Sequence, residues 1–280
     1  MKILITGRNG FLARELSRRF SKDGHSVIAA GRNELNLKDP EKVDMFFLKE
    51  KVDYVIHTAI EGGRRNVTDS YNVVMSNLLM FHNLVVNQDK YKMLFNFCSG
   101  AAFNRTYDLD NIEETQIFES FPDDFYGKSK NLIAREIQFR KNIVNLRLFG
   151  CFGAYEADHR LVKTAIQRAT KNLSIEVHQD KLMDYFSAED VYRVIKHYIE
   201  NFNEEMHRDI NLCYSDKATL VDLCKKIVSL SKSKSRIKIE NKNPGKPYTG
   251  SSERLDSLGI KLSGLENSLQ EVINESRTNE

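Results

Sequence analysis

The chain has 280 residues, 41% of them hydrophobic and 29% charged, enough for one large domain or a large one with a smaller companion around a substantial core. A net charge of +3 is too small for nucleic acid binding by phosphate neutralisation, and no apolar run approaches the roughly 18 residues that span a bilayer. Four cysteines without C-x-x-C spacing, histidines without an H-E-x-x-H pattern, and an opening MKILITG too short for a signal peptide predict reduced thiols, no metal site and a cytoplasmic protein.

The elements alternate from the start. KILIT is a β-branched run and predicts a strand; the following stretch, with Phe11, Leu12, Leu16 and Phe20 at helical period, predicts a helix ended by Gly24. SVIAAG reads as a second strand, DPEKVDMFFLKEK as a helix with Pro40 near its start, and DYVIHTAI as a third strand. An amphipathic helix over 71–87, the strand MLFNFCS, a helix within 123–141 and the strand NIVNLRLFG follow. Strands alternating with helices of this length predict βαβ units and a parallel sheet, an α/β Rossmann (doubly wound) fold over residues 1–150. Residues 151–280 predict a smaller α/β substrate lobe: helices at HRLVKTAIQRATK, AEDVYRVIKHYIEN and from Thr219, and strands at SIEVHQ, DINLCYS and RIKIE. The lysine- and serine-rich segment 225–246 reads as a solvated surface rather than a phosphate site.

Glycines follow the first strand in TGRNGFLA. Gly7 and Gly10 stand where a strand turns tightly into a helix whose first N–H groups face a pyrophosphate, and Ala13 takes the third glycine position, where close packing is required. That placement predicts dinucleotide binding by Gly7, Arg8, Asn9, Gly10, Phe11 and Leu12. The second strand ends in AAGRNEL, with Arg32 where an acidic residue would bind the adenosine ribose. Arg32 with Arg8 favours NADP(H), with NAD(H) as the alternative. Asn36, Leu37, Thr58, Ala59 and Ile60 border the adenine and the pyrophosphate, and Asn77 joins the set.

FYGKSK places Tyr126 and Lys130 one helical turn apart, on one face. By themselves they are either an acid–base pair or an ordinary helix surface. The stretches TGRNGFLA, DYVIHTA, MSNLLMFHNLV, FNFCSGAAF and YGKSK together resemble the extended short-chain dehydrogenases/reductases that act on nucleotide sugars. The likeness extends to PGKPYTGSSERLDSLGIK and, in GRNELNLKDPEKVDMFF, EGGRRN and HRLVKTAI, leans towards the GDP-L-fucose synthase-like and dTDP-4-dehydrorhamnose reductase-like branches.

The resemblance implies a catalytic set of Ser99, Tyr126 and Lys130. Lys130 would hold the nicotinamide ribose and, with the oxidised nicotinamide, lower the tyrosine pKa, while Ser99 would stabilise charge on the substrate oxygen. It also implies His159 as half of an epimerising pair whose cysteine position is here Ala101. Gly100 and Ala101 replace the acidic pair of the dehydratases. These departures predict an NADPH-dependent reductase of a nucleotide-linked 4-keto deoxysugar, without full epimerase activity. A 4-epimerase retaining NAD and a non-catalytic dinucleotide sensor stay open. Met183 and Gly150 stand where the family has a diphosphate-gripping arginine and an asparagine, leaving Lys181 and Arg254 as substitutes and Cys151 as a relocated acid. A nucleotide-sugar partner and a homodimer built on the two long helices are further implications.

Overall fold

A computed structural model describes residues 1–64 and 67–278 of the chain; Arg65 and Asn66 of the EGGRRN stretch lie outside them. The alternating first part forms β1 (Lys2–Thr6), α1 (Phe11–Lys22), β2 (Ser26–Ala30), α2 (Pro40–Lys49), β3 (Tyr54–His57), α3 (Asn72–Val85) and β4 (Met93–Ser99). A short strand, β5 (Leu109–Ile112), precedes α4 (Phe125–Ile137) and β6 (Ile143–Leu148). Then come β7 (Cys151–Phe152), α5 (Leu161–Thr170), β8 (Ile175–Gln179), β9 (Phe186–Ser187), α6 (Ala188–Asn201) and β10 (Asp209–Leu212). The chain closes with α7 (Leu220–Leu230), β11 (Ile237–Asn241), β12 (Tyr248–Gly250), α8 (Glu253–Ser257) and α9 (Gly264–Thr278).

Six strands form a parallel central sheet in the order β10-β6-β4-β3-β1-β2. Strand β3 is buried at every residue and β4 at all but its last, as strands covered on both faces must be. The order reverses between β1 and β3, and in open parallel sheets the carboxyl edge at such a switch is where ligands bind. Strand β10, expected in the smaller lobe, is instead the edge strand of this sheet. Nothing in a four-residue strand's composition tells which sheet it joins; the ladder partner decides, here Arg208 O accepting from Asn145 N at 2.6 Å.

The chain divides into two units. The first comprises Met1–Arg105, Glu113–Arg147 and Asn203–Ile210. Its core packs Leu4, Val43, Phe47, Phe81, Leu94 and Ile133, the inward stripes of α2, α3 and α4 against one sheet face. The second unit comprises Thr106–Ile112, Leu148–Phe202 and Asn211–Glu280. Its core gathers Val162, Ile166, Val177, Leu223, Ile227 and Leu269 from α5, α7, α9 and β8. Thr219 caps α7, its hydroxyl accepting from Asp222 N at 3.1 Å, as the Thr-x-x-Asp spacing requires. Among the described residues no helix is long and apolar enough to cross a membrane.

Candidate active site

The turn leaving β1 is held open by glycine. Gly7 has φ +75°, and a Cβ there would lie 2.9 Å from the Cα of Ala59 and 3.0 Å from its nitrogen, so the β1 turn and the chain leaving β3 meet backbone to backbone. Helix α1 then starts after Gly10 with no side-chain cap and no acidic residue in its first turn. Its first N–H groups and the positive end of its dipole therefore suit an anion; Phe11 and Leu12 open that turn and Asn9 precedes its N-cap. This cradle fits the diphosphate of a dinucleotide.

A cavity of about 160 Å³ adjoins the cradle, lined among others by Gly7, Arg32, Asn36, Leu37, Ala59 and Ile60, all anticipated from the sequence. Lys38 and Glu61 line it too and were not anticipated. Glu61 accepts from Arg32 Nη2 at 2.8 Å and from Lys38 Nζ at 3.0 Å. Burial raises the Glu61 pKa, but these cations and a bond from Ser76 outweigh it and hold the carboxyl below the usual range. Arg8 pairs with Glu34, which also accepts from Gly31 N at 2.9 Å. The signal for Lys38 was available in the sequence, since it follows Leu37 directly. Glu61 was hidden, because only the fold of the chain leaving β3 turns it toward β2. Thr58 spends its hydroxyl on Thr6 O at 2.6 Å. Asn77 is buried and its amide ties the Glu61 backbone to Ser129.

Three sequence-predicted groups converge at the carboxyl end of β4. Ser99 ends that strand, and its Oγ accepts from Ala101 N at 3.1 Å, capping a short 3₁₀ turn. Asp124 caps α4, accepting from Gly127 N at 2.8 Å. Asn131 Nδ2 donates to Ala102 O at 2.9 Å and Ser120 O at 2.8 Å, drawing the helix onto the turn. The approach is close: a Cβ on Gly127 would lie 2.5 Å from Ala101 O. Tyr126, in the first turn of α4, is thereby brought close enough to Ser99 for the serine hydroxyl to act on its phenol. Lys130 Nζ lies 5.9 Å from the Tyr126 ring centroid and donates to Phe97 O at 2.6 Å.

Burial controls the electrostatics. It pushes the Tyr126 phenol up to about 12, against the partial pull of the Ser99 hydrogen bond, and it lowers Lys130 to about 8. The expected lowering by the Lys130 ammonium is not among the effects acting on the phenol, and desolvation of the phenolate dominates those that are. His57, at the end of β3, is lowered to about 3 by burial and then by the Lys130 charge.

In the second unit His159 is exposed and lies just before α5, whose N-cap is Arg160. Three residues earlier Glu156 is 5% exposed, with Arg160 Nε at 3.5 Å, and burial pushes its carboxyl up to about 7. Gly150 has no room for the family's asparagine, because a Cβ would meet Asp184 O at 2.6 Å. Met183 bridges to Tyr248, over whose ring Lys181 Nζ lies at 5.6 Å, and Cys151 is buried in β7. Arg254 sits in α8.

Residues 3–213 match the model of the NAD dependent epimerase/dehydratase family. Among characterised proteins, the chain is 22% identical over 255 residues to GDP-L-colitose synthase of Yersinia pseudotuberculosis, covering 82% of each chain. A GDP-D-glycero-L-gluco-heptose synthase of Campylobacter jejuni, solved in the presence of NADPH, superposes with a TM-score of 0.82 at 16% identity, over 99% of this chain and 98% of that one. A dTDP-4-dehydrorhamnose reductase of Clostridium acetobutylicum superposes at 0.80 with 21% identity, over 99% of this chain and all of that one. At such identities the superpositions establish the fold.

Proposed function

The chain belongs to the NAD dependent epimerase/dehydratase family, and from that premise we propose that it is an NADPH-dependent reductase of a nucleotide-linked 4-keto sugar with Tyr126 as proton donor. The observation that carries this reading is the Ser99–Tyr126–Lys130 cluster at the carboxyl edge of β4. A nicotinamide dinucleotide held in the Gly7–Gly10 cradle supplies the hydride.

Tyr126 keeps its proton at neutral pH, as a donor must, and gives it to the substrate oxygen as the carbonyl's π electrons move there. Ser99, beside Tyr126, donates in this reading to the same oxygen and stabilises its developing charge. Lys130, titrating near neutrality, stabilises the phenolate left behind and is suited to returning a proton to it. Ala101 is buried and carries no acid, so the turn after Ser99 offers no group for removing a proton next to the carbonyl. That favours reduction over dehydration.

The cofactor preference rests on charge. Arg8, Arg32 and Lys38 face two carboxylates, Glu34 and Glu61, leaving a surplus of one cation (3 − 2), and the Arg32 side chain is 70% exposed. This is a balance that accepts a 2′-phosphate. We also propose a homodimer. Helix α3 exposes Met75 and Leu79 one turn apart, and α4 exposes Phe125 and Leu132 one heptad apart, an apolar surface fit for pairing with a second copy.

The test is NADPH oxidation against a panel of nucleotide-linked 4-keto-6-deoxy sugars, with NADH in parallel. Turnover with one sugar, faster with NADPH, is expected. Tyr126→Phe is expected to lower kcat by about 10²–10⁴-fold while NADPH still binds. Unchanged turnover in that variant would overturn the mechanism.

A further inference from the structure

The chain leaving β3 passes the Tyr126 ring at Gly63. Gly63 has φ +71°, and a Cβ on it would lie 2.8 Å from Cε2, 2.9 Å from Cδ2 and 3.0 Å from Cζ of Tyr126. Gly63 therefore lies so close to the phenol ring that a β-carbon there would clash with it. Its neighbour Gly62, φ +80°, is equally crowded: a Cβ would meet Val73 Cγ1 at 2.7 Å and Asp69 Cγ at 2.9 Å. Both glycines are in the left-handed region, so any side chain there carries backbone strain as well as a clash.

Both ends of this stretch are anchored. Downstream, Gly63 N donates to Asp69 Oδ2 at 2.8 Å. Upstream, Glu61 N donates to Asn77 Oδ1 at 2.9 Å, and Asn77 Nδ2 donates back to Glu61 O at 3.0 Å. The same Nδ2 donates to Ser129 Oγ at 3.0 Å, and Ser129 Oγ donates to Tyr126 O at 2.7 Å. Asn77 thus binds the glycine stretch to the helix that carries the tyrosine. The backbone of Tyr126 is held from one side and its ring is covered from the other.

We propose that Gly63, pinned by Asp69, is a clasp that sets the position of the Tyr126 ring and keeps water from one of its faces. Gly63 and Asp69 are positioning residues acting through Tyr126; neither needs to touch the substrate. The proposal rests on the reading of Tyr126 as proton donor. It also gives the two glycines of EGGRRN a physical role: six residues after the second stands a carboxylate that accepts from the second one's N–H. Proton transfer from a phenol depends steeply on where its oxygen lies, and an ordered ring supplies that without a conformational search.

Four variants test it: Gly63→Ala, Asp69→Ala, Asp69→Asn and Tyr126→Phe. Each is measured for kcat with NADPH and the best sugar of the panel, for NADPH affinity by fluorescence, and for melting temperature. Tyr126 is followed separately, without substrate, by NMR titration of ring-labelled tyrosine, its signal assigned by its loss in Tyr126→Phe.

Gly63→Ala is expected to lower kcat about 100-fold, the scale of a misplaced reacting group. Asp69→Ala is expected to lower it about tenfold, as for one lost hydrogen bond. Asp69→Asn keeps an oxygen that accepts from Gly63 N–H and is expected to restore most of that loss. In both damaging variants the Tyr126 titration moves down toward the free-tyrosine value of about 10 as water reaches the ring, while NADPH affinity is unchanged. If Gly63→Ala and Asp69→Ala leave kcat and the titration untouched while Tyr126→Phe abolishes turnover, the clasp is wrong and the proton-donor reading stands. If Tyr126→Phe turns over normally, that reading fails, and the titration alone then decides whether the clasp orders the ring. Loss of melting temperature in Asp69→Ala with no movement of the titration overturns the proposal in favour of a merely structural role.

Discussion

His57 is buried at the end of β3, its Nδ1 2.9 Å from Thr6 Oγ1, and its pKa is lowered to about 3 from 6.5 by burial and by Lys130. A group whose folded pKa is depressed leaves the native state with fewer protons than the unfolded chain in the window between the two values. His57 therefore costs nothing above about pH 6.5, and stability falls as pH drops from there towards 3. Replacing it with asparagine, which keeps a hydrogen-bonding group near Thr6, should flatten the dependence of unfolding free energy on pH in that window. Urea titrations at pH 7.5, 6.0 and 5.0 on both proteins would show this, and parallel curves would refute it. At this scale the resemblance to the extended short-chain dehydrogenases/reductases, not the spacing, singled out Ser99, Tyr126 and Lys130, and the structure brings the three to the end of β4. The sequence concealed Glu61, Gly63 and Asp69, whose contacts depend on the left-handed turn at Gly62 and Gly63, which no periodicity encodes.

Elements up to α7 were legible where they were long and periodic, but α9, the longest helix among the described residues, was not foreseen. The helices α1 to α7 and the strands β1 to β4 lie where apolar spacing put them, because each must bury a stripe or a face. The strands β5, β7, β9 and β12, of two to four residues, were not foreseen: pairing, not pattern, makes them. Helices α3 and α4 show what remains once the inward stripe is buried. Their outward apolar residues, Leu79 at 42% and Leu132 at 37% exposed, stay open to solvent in the single chain. A second copy paired there should give a sedimentation mass twice the 32.4 kDa of the chain. Leu79→Glu with Leu132→Glu would place like charges in that seam and should return the mass to a single chain with the melting curve of the monomer intact. A single-chain mass for the unaltered protein would remove the dimer.

Across the whole molecule the chain passes between its two units five times, at 105/106, 112/113, 147/148, 202/203 and 210/211. Such a path makes the segment 203–210 depend on what holds it once it arrives. The ladder to β6 is one tie; the other is electrostatic. Asp209 accepts from Arg147 Nη2 at 2.9 and 3.0 Å, from Asn145 Nδ2 at 2.7 Å and from Gln138 Nε2 at 2.9 Å. The Arg147 side chain is fully buried, stacked 5.0 Å over the Phe103 ring, and that of Asp209 is 3% exposed. A pair so enclosed contributes little net energy against a hydrophobic substitute, yet removing one partner strands the other's charge in a dry interior. Asp209→Ala should therefore lower the unfolding free energy by about 3–5 kcal/mol, whereas Asp209→Asn, which keeps an acceptor for the guanidinium, should lose less. Amide hydrogen exchange would show where the loss falls: protection should drop first in 209–212 and in β6 and spread to the rest of the sheet only near the global transition. Equal exchange in the variant and the unaltered protein would mean that the ladder alone holds the edge. The sequence marked the strand but not its sheet, because the contacts that hold it there join residues about sixty apart, such as Arg147 and Asp209 at 62.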